Sequence, residues 1–308
     1  MYDVIIIGSG PAGLVAGLYC GRFRLKTLIL ERINIGGQIV TSPTIENFPG
    51  FPGGIPTVEL IDKIKNQVDE LEVPVITEEV SSILAVDKSG IPVYTVKAGD
   101  NAYETKTLII ASGAQSKKLG VAGEGKFIGR GVSYCATCDG PFFKNKEIVV
   151  IGGGDRAVEE AIFLTSYASK VTLIHRRGEL RASKIIEEKL RANPRINLKL
   201  DSVIEEITGK DKVEGVSIKN VLTAAVETYL CQGVFIFVGI KPNTDFVKNL
   251  LHLDESEFII TDQDMKTSLE AVYACGDCRK KNLYQVINAC GEAAAAADSV
   301  HRYLLNLK

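Results

Sequence analysis

At 308 residues, 45% hydrophobic and 24% charged, the chain has an ordinary globular composition and is long enough for about two domains. A net charge of −2 gives no electrostatic reason to bind nucleic acid or an acidic membrane surface. No apolar run approaches the length that crosses a bilayer. The first strand begins at Tyr2, which leaves no room for a secretory or transit peptide, so the expectation is a cytoplasmic protein with no membrane or nucleic-acid partner.

Residues 3–8 and 27–31 are short apolar runs around a helical stretch, the βαβ opening of a nucleotide-binding fold. Residues 34–56 are rich in Gly and Pro and read as an irregular loop, carrying Gly36-Gly37-Gln38 and Glu46-Asn47-Phe48-Pro49-Gly50. A helix is predicted over 57–71 and a small Val-, Ile- and Thr-rich sheet over 73–110. Within the latter, Leu108 to Gly113 reads as a buried strand ending on glycine. A second nucleotide unit follows from about Ser116 to Val238, with further strands at Leu198–Ser217 and Thr228–Val238. After Gly239-Ile-Lys-Pro242-Asn243, a strand is predicted at Ala271–Asp277 and an alanine-rich helix from about Tyr284 to Leu305. The fold class expected is α/β, with two Rossmann-like three-layer domains. The first comprises 1–113 and 244–308; the second, 116–241, is inserted into it. Gly113 and Gly239 bracket the two crossing strands and are read as hinges.

The stretch from Asp3 to Glu31 recurs without a gap at Glu147 to His175, at a constant offset of 144 residues. Gly8, Gly10 and Gly13 stand where a dinucleotide fold needs them: one for the tight turn, one for close approach to a pyrophosphate, one for packing of helix on strand. The helix N-terminus then offers free N–H groups and the positive end of its dipole. Glu31, closing the second strand, suits two ribose hydroxyls. The second copy has Gly152, Gly154 and Ala157, and closes on His175-Arg176-Arg177 with Arg181 nearby. A carboxylate there would repel a 2′-phosphate, whereas arginines grip one, which argues for NADPH over NADH. A solvated basic face is the alternative.

Seven cysteines are Cys20, Cys135, Cys138, Cys231, Cys275, Cys278 and Cys290. Cys135-Ala-Thr-Cys138 reads as a redox pair, with a zinc half-site or two buried thiols as alternatives. Cys275-Gly-Asp-Cys278 has the same spacing but is read as two thiols flanking a strand end. Cys20, Cys231 and Cys290 are read as small core residues. No metal site is expected. Asp139 either caps the following turn or acts as an acid beside the thiols.

At this point the chain resembles the low-molecular-weight thioredoxin reductases over nearly its whole length. The stretches that carry the resemblance are Ile7–Gly13, Gly36–Gln38, Glu46–Gly50, Gly131–Gly140, Gly152–Asp155, His175–Arg177 with Arg181-Ala182, and Gly276-Asp277. The resemblance implies FAD along Gly8, Ser9, Gly10, Pro11, Ala12, Gly13 and Glu31. It further implies Gly37, Gln38, Asn47, Ala111, Gly113, Gly276, Asp277, Gln285 and Val286 about the same cofactor. NADPH is implied at Gly152, Gly154, Asp155, Arg156 and Ala157, with His175, Arg176, Arg177 and Arg181 about its 2′-phosphate end. NADPH would reduce FAD, FAD would reduce the Cys135–Cys138 disulfide, and the dithiol would reduce thioredoxin in trans. Cys138 would face the flavin, Cys135 would attack the partner and Asp139 would be the general acid. The resemblance also implies a homodimer whose NADPH domain rotates. Two positions depart from the pattern: Arg156 stands where Ser or Thr is usual, and Tyr284 where Arg often precedes the glutamine. Rival readings are the same flavoenzyme acting on a glutaredoxin-like protein or a peroxidase subunit, a flavin oxidase or ferredoxin-type reductase, and a non-catalytic redox sensor.

Overall fold

The structure is a computed structural model that describes residues 1–41, 44, 45, 47–88 and 91–307. Its chain divides into two compact units, Met1–Gln115 with Lys241–Lys308, and Ser116–Ile240. Among the described residues no helix is long and apolar enough to cross a membrane.

The first unit begins β1 (Tyr2–Ile7), α1 (Pro11–Arg22), β2 (Thr27–Glu31). It continues β3 (Thr44–Ile45), β4 (Ile55–Pro56), α2 (Thr57–Asp69), β5 (Val75–Thr77), β6 (Val80–Lys88), β7 (Ile91–Ala98) and β8 (Asn101–Ile110). Its main sheet runs β5-β2-β1-β8-β7-β6. The β1, β2, β5 and β8 pairings are parallel, so these strands are covered on both faces and read as unbroken apolar runs. Alternation assigns the two faces. Val4, Ile6, Ile29 and Ile109 pack with α1, α2 and the C-terminal helix, while Ile5, Ile7, Leu28, Leu30, Leu108 and Ile110 pack in the opposite layer. Each such side chain contributes on the order of 2 kcal/mol of burial free energy.

The stretch 73–110, read from sequence as a small sheet with a distinct strand at its end, is organised differently. β8 is one continuous strand: Asn101–Thr105 side pairs β7 antiparallel, and Thr105–Ile110 pairs β1 parallel. The meander is therefore grafted onto the nucleotide sheet because one strand serves both.

The second unit follows the short crossing strand β9 (Ala114–Ser116). It contains β10 (Val132–Ser133), α3 (Ala136–Asp139), β11 (Glu147–Ile151), α4 (Asp155–Leu164), β12 (Lys170–Ile174), α5 (Lys184–Ala192) and β13 (Ile196–Lys199). Then come β14 (Ser202–Thr208), β15 (Gly215–Asn220), β16 (Val226–Leu230) and β17 (Gly233–Ile236). A parallel sheet of order β10-β17-β11-β12-β13 carries α4 on one face; the antiparallel β14-β15-β16 sheet covers the other. Two expected long strands are each divided. Leu198–Ser217 breaks at Asp201, held at φ 48°, and again at Gly209. Thr228–Val238 breaks at Cys231-Gln232, where the chain leaves one sheet for the other: Cys231 N–H bonds Glu214 O, and Gln232 N–H bonds Glu147 O at 2.8 Å. Helix α5 was missed in the sequence, since its apolar face is short.

The chain returns through β18 (Ile240–Pro242), which pairs with β9. β19 (Val272–Ala274), shorter than the predicted strand, pairs with β8 where β7 leaves off. Helix α6 (Val286–Asn306) completes the first unit. Its buried face is Ala289, Ala293, Ala296, Ala297, Val300 and Leu304, small enough near its start to let α1 approach closely.

Candidate functional site

In the first unit the glycine turn is shaped by contact rather than by flexibility alone. Gly8 sits at φ 107°, and a Cβ there would lie 2.4 Å from Ala111 O; a Cβ on Gly13 would lie 1.8 Å from Gly8 O. By contrast, Gly10 meets no atom nearer than 3.9 Å, so space is open at the N-terminus of α1. That terminus has Pro11 in its first turn, no acidic residue and no side-chain cap, which leaves N–H groups available to an anion. Glu31 ends β2 and reaches back across the turn. It accepts from Ser9 N–H at 2.7 Å and Ser9 Oγ–H at 2.8 Å, and its other oxygen from Ile33 N–H at 3.1 Å.

Among the other predicted residues, Gly36, Gly37, Ala111 and Gly276 gather at the same end of α1. Gly36 N–H bonds Ser9 O, and Gly37 lies over Gly10. Gln38 follows in the 3₁₀ turn Gly37–Thr41. Ala111 N–H bonds Ile7 O, and Gly276 packs on Ala12. Gly113 follows Ala111 at φ 69°. Asn47 donates to Gln285 Oε1 at 2.9 Å across 238 residues, and Val286 opens α6. Glu46 lies outside the described residues.

Beneath Gly276-Asp277 lies an ion cluster that the sequence did not suggest. Glu292, 8% exposed, accepts from Gly276 N–H, Arg279 Nη1 at 2.7 Å, Asn288 Nδ2 and Lys281 Nζ. Lys281 also pairs with Asp277, its Nζ 2.8 Å from the buried Oδ1. The available signal was Glu292 falling three residues after Ala289, inside the apolar stripe of α6.

The second glycine turn has the same plan with different partners. A Cβ on Gly152 would lie 2.6 Å from Phe237 O, and one on Gly153 would lie 2.2 Å from His175 Nδ1; Gly154 has nothing within 4 Å. His175 is buried beneath the turn. Burial, then Arg181, Arg177 and Arg176, holds its pKa below the ordinary histidine value, so it props the turn as a neutral ring. The loop after it is laced to the turn: Arg181 N–H bonds Gly153 O and Ser183 N–H bonds Asp155 Oδ1, both at 2.6 Å. Arg176, Arg177 and Arg181 are exposed, and among the described residues none pairs with a carboxylate. Arg156 lies 4.0 Å from Glu160 and over the Phe237 ring. Gly154 to Ala157, Arg181, Tyr134 and the strand end Ile236–Ile240 line a cavity of about 220 Å³.

In the same unit Cys135 and Cys138 form a disulfide with a Cα–Cα separation of 5.4 Å. Cys135 caps α3, and Cys138 N–H points to its Sγ at 3.2 Å. Ser133, 4% exposed at the end of β10, accepts from Cys135 N–H at 3.1 Å and donates to Cys135 O at 3.2 Å. Asp139 is half-buried; burial raises its pKa and the polar Ser133 hydroxyl nearby partly opposes this. The other Cys-x-x-Cys pair is not a disulfide. Cys275 and Cys278 are fully buried, Cys278 donates to Ile110 O and Cys275 O, and burial pushes its thiol up to about 11.

Two pyridine- or flavin-type turns and one accessible disulfide on a single chain define a nucleotide-dependent disulfide oxidoreductase. The profile of the pyridine nucleotide-disulphide oxidoreductases matches residues 2–293. The thioredoxin reductase of Peptoclostridium litorale is 43% identical, covering 100% of this chain and 98% of its own length. That of Bacillus subtilis is 40% identical over 100% and 96%. The crystal structure of thioredoxin reductase from Streptococcus pyogenes is 45% identical over 99% of both chains, with a TM-score of 0.93. The chain belongs to the pyridine nucleotide-disulphide oxidoreductases, in the thioredoxin reductase group. Members of that group use FAD and NADPH.

Proposed function

We propose that the chain reduces the disulfide of thioredoxin at the expense of NADPH, with Cys135 and Cys138 as the working pair. The observation that carries this reading is the contrast between the two turns of a chain that also bears one disulfide. Glu31 presents a carboxylate where the first copy closes, and three guanidinium groups, unpaired with any carboxylate among the described residues, stand where the second copy closes.

Both turns fit the groups assigned to them. Gly10 and Gly154 leave open the space that a pyrophosphate needs, while Gly8, Gly13 and Gly152 have no room for side chains. Glu31 retains lone pairs for ribose hydroxyls after bonding Ser9. Arg176, Arg177 and Arg181 supply charge-assisted donors to a 2′-phosphate. Bound FAD supplies the two-electron relay from nicotinamide to sulfur that side chains lack.

The remaining steps belong to the protein. Once Cys135 and Cys138 are reduced, Cys138 N–H stabilises a Cys135 thiolate at the N-terminus of α3. That thiolate attacks the partner disulfide, breaking its S–S bond and forming a mixed disulfide; Asp139, whose burial favours its protonated form, supplies a proton to the departing thiolate. Cys138 then displaces the second partner thiol and the intramolecular disulfide re-forms. In this reading the protein is a cytoplasmic homodimer, which sedimentation and cell fractionation would check.

The test is a coupled assay of the purified yellow protein with NADPH, thioredoxin and a colorimetric disulfide. Cys135→Ser and Cys138→Ser should each abolish turnover with FAD retained, and Cys275→Ser should not. Substantial turnover by either of the first two would end the assignment.

A further inference from the structure

Tyr134 immediately precedes the redox disulfide, yet nothing in the proposed chemistry uses it. Its ring borders the same cavity as Gly154, Arg156 and the strand end Ile236–Ile240. Its hydroxyl donates to Glu124 Oε1 at 2.7 Å. Glu124 is 3% exposed and is itself fixed by Leu119 N–H at 3.0 Å and Gly120 N–H at 2.7 Å. A buried carboxylate with both oxygens engaged by backbone does not swing, so the phenol it holds is fixed as well. Burial, and then the bond to Glu124, drives the Tyr134 phenol far above its ordinary pKa. It therefore stays protonated and is not a proton donor to the reaction; its contribution is position.

Strand order says which part of a dinucleotide it meets. The order reverses between β11 and β17, and a dinucleotide lies across that point. The β12 side carries Arg176 and Arg177, which take the adenosine end. Tyr134 follows β10, beyond β17 on the opposite side. Resting on the NADPH reading above, we propose that Tyr134, clamped by Glu124, is the wall of the nicotinamide half of the site and positions that ring.

Calorimetric titration of the intact flavoprotein with NADP⁺ and separately with 2′,5′-ADP, which lacks the nicotinamide half, tests this. Tyr134→Ala should weaken NADP⁺ by several-fold to about tenfold, the range of an aromatic contact, and leave 2′,5′-ADP within about twofold. Tyr134→Phe keeps the ring and loses only the clamp, so its loss for NADP⁺ should be smaller than that of the Ala variant. The idea is overturned if Tyr134→Ala binds NADP⁺ like the parent. It is equally overturned if both ligands weaken together, which marks local collapse. A parent protein that binds neither ligand would instead defeat the NADPH reading itself.

Discussion

The substitution Gly13→Ala separates the two copies of the repeat. A Cβ at 13 would lie 1.8 Å from Gly8 O and 2.8 Å from Gly8 C, against the 3.0 Å that real Cβ contacts essentially never breach. The obstacle is backbone, and α1 cannot easily back away, because Leu14, Ala16 and Cys20 are fully buried against the sheet and α6. Forcing more than an ångström of separation costs about 3 kcal/mol by the measure of overpacked cores. Alanine's helix propensity returns about 1 kcal/mol, for a net loss of about 2 kcal/mol. The equivalent position of the second copy already holds Ala157, so sequence analogy alone predicts tolerance. Gly154→Ala is the control: nothing lies within 4 Å of its Cβ and its φ is −92°, so stability should stay within about 0.5 kcal/mol. Urea unfolding and the FAD absorbance retained after gel filtration measure the outcome. Gly13→Ala with an unchanged midpoint and full flavin would refute the argument.

Replacing Arg176, Arg177 or Arg181 by Ala should raise the KM for NADPH by about tenfold and leave that for NADH nearly unchanged, as expected for charged hydrogen bonds to one phosphate. Steady-state kinetics with both donors decides it; an equal change for both would reduce the arginines to surface charges. Asp139→Asn should behave oppositely in stability and turnover. Because burial raises the folded pKa of Asp139, the folded state holds the proton more tightly than the unfolded chain. Both states are protonated below the unfolded value of about 4, and stability is lost as pH rises through the raised folded value. The oxidised Asn variant should therefore gain in Tm over the parent at pH 8 and lose that gain at pH 4, while turnover falls by at least about 100-fold. A larger Tm gain at pH 4 than at pH 8 would contradict the sign.

Much of the plan was legible because its signals are local. Strand, glycine turn, helix and strand fall within about thirty residues in each copy, and apolar runs covered on both faces announce parallel strands. The contrast between Glu31 and Arg176-Arg177 needs only alignment of the chain with itself. Strand limits were less legible: β8 serves two kinds of pairing, and the breaks at Asp201 and Cys231 depend on which sheet each side joins.

Residues 135–138 and 275–278 show the remaining division. Their spacing is identical, so local pattern offers both as redox pairs. Burial separates them, since the second pair is packed under β8 with its thiols raised and the first lies partly open at a helix cap. The Asn47–Gln285 bond, the Glu292 cluster and the Glu124–Tyr134 clamp likewise join residues whose own neighbourhoods say nothing of the partner. Short-range periodicity fixes the elements, but an isolated polar side chain takes its role from whichever distant backbone or charge the packed core brings to it.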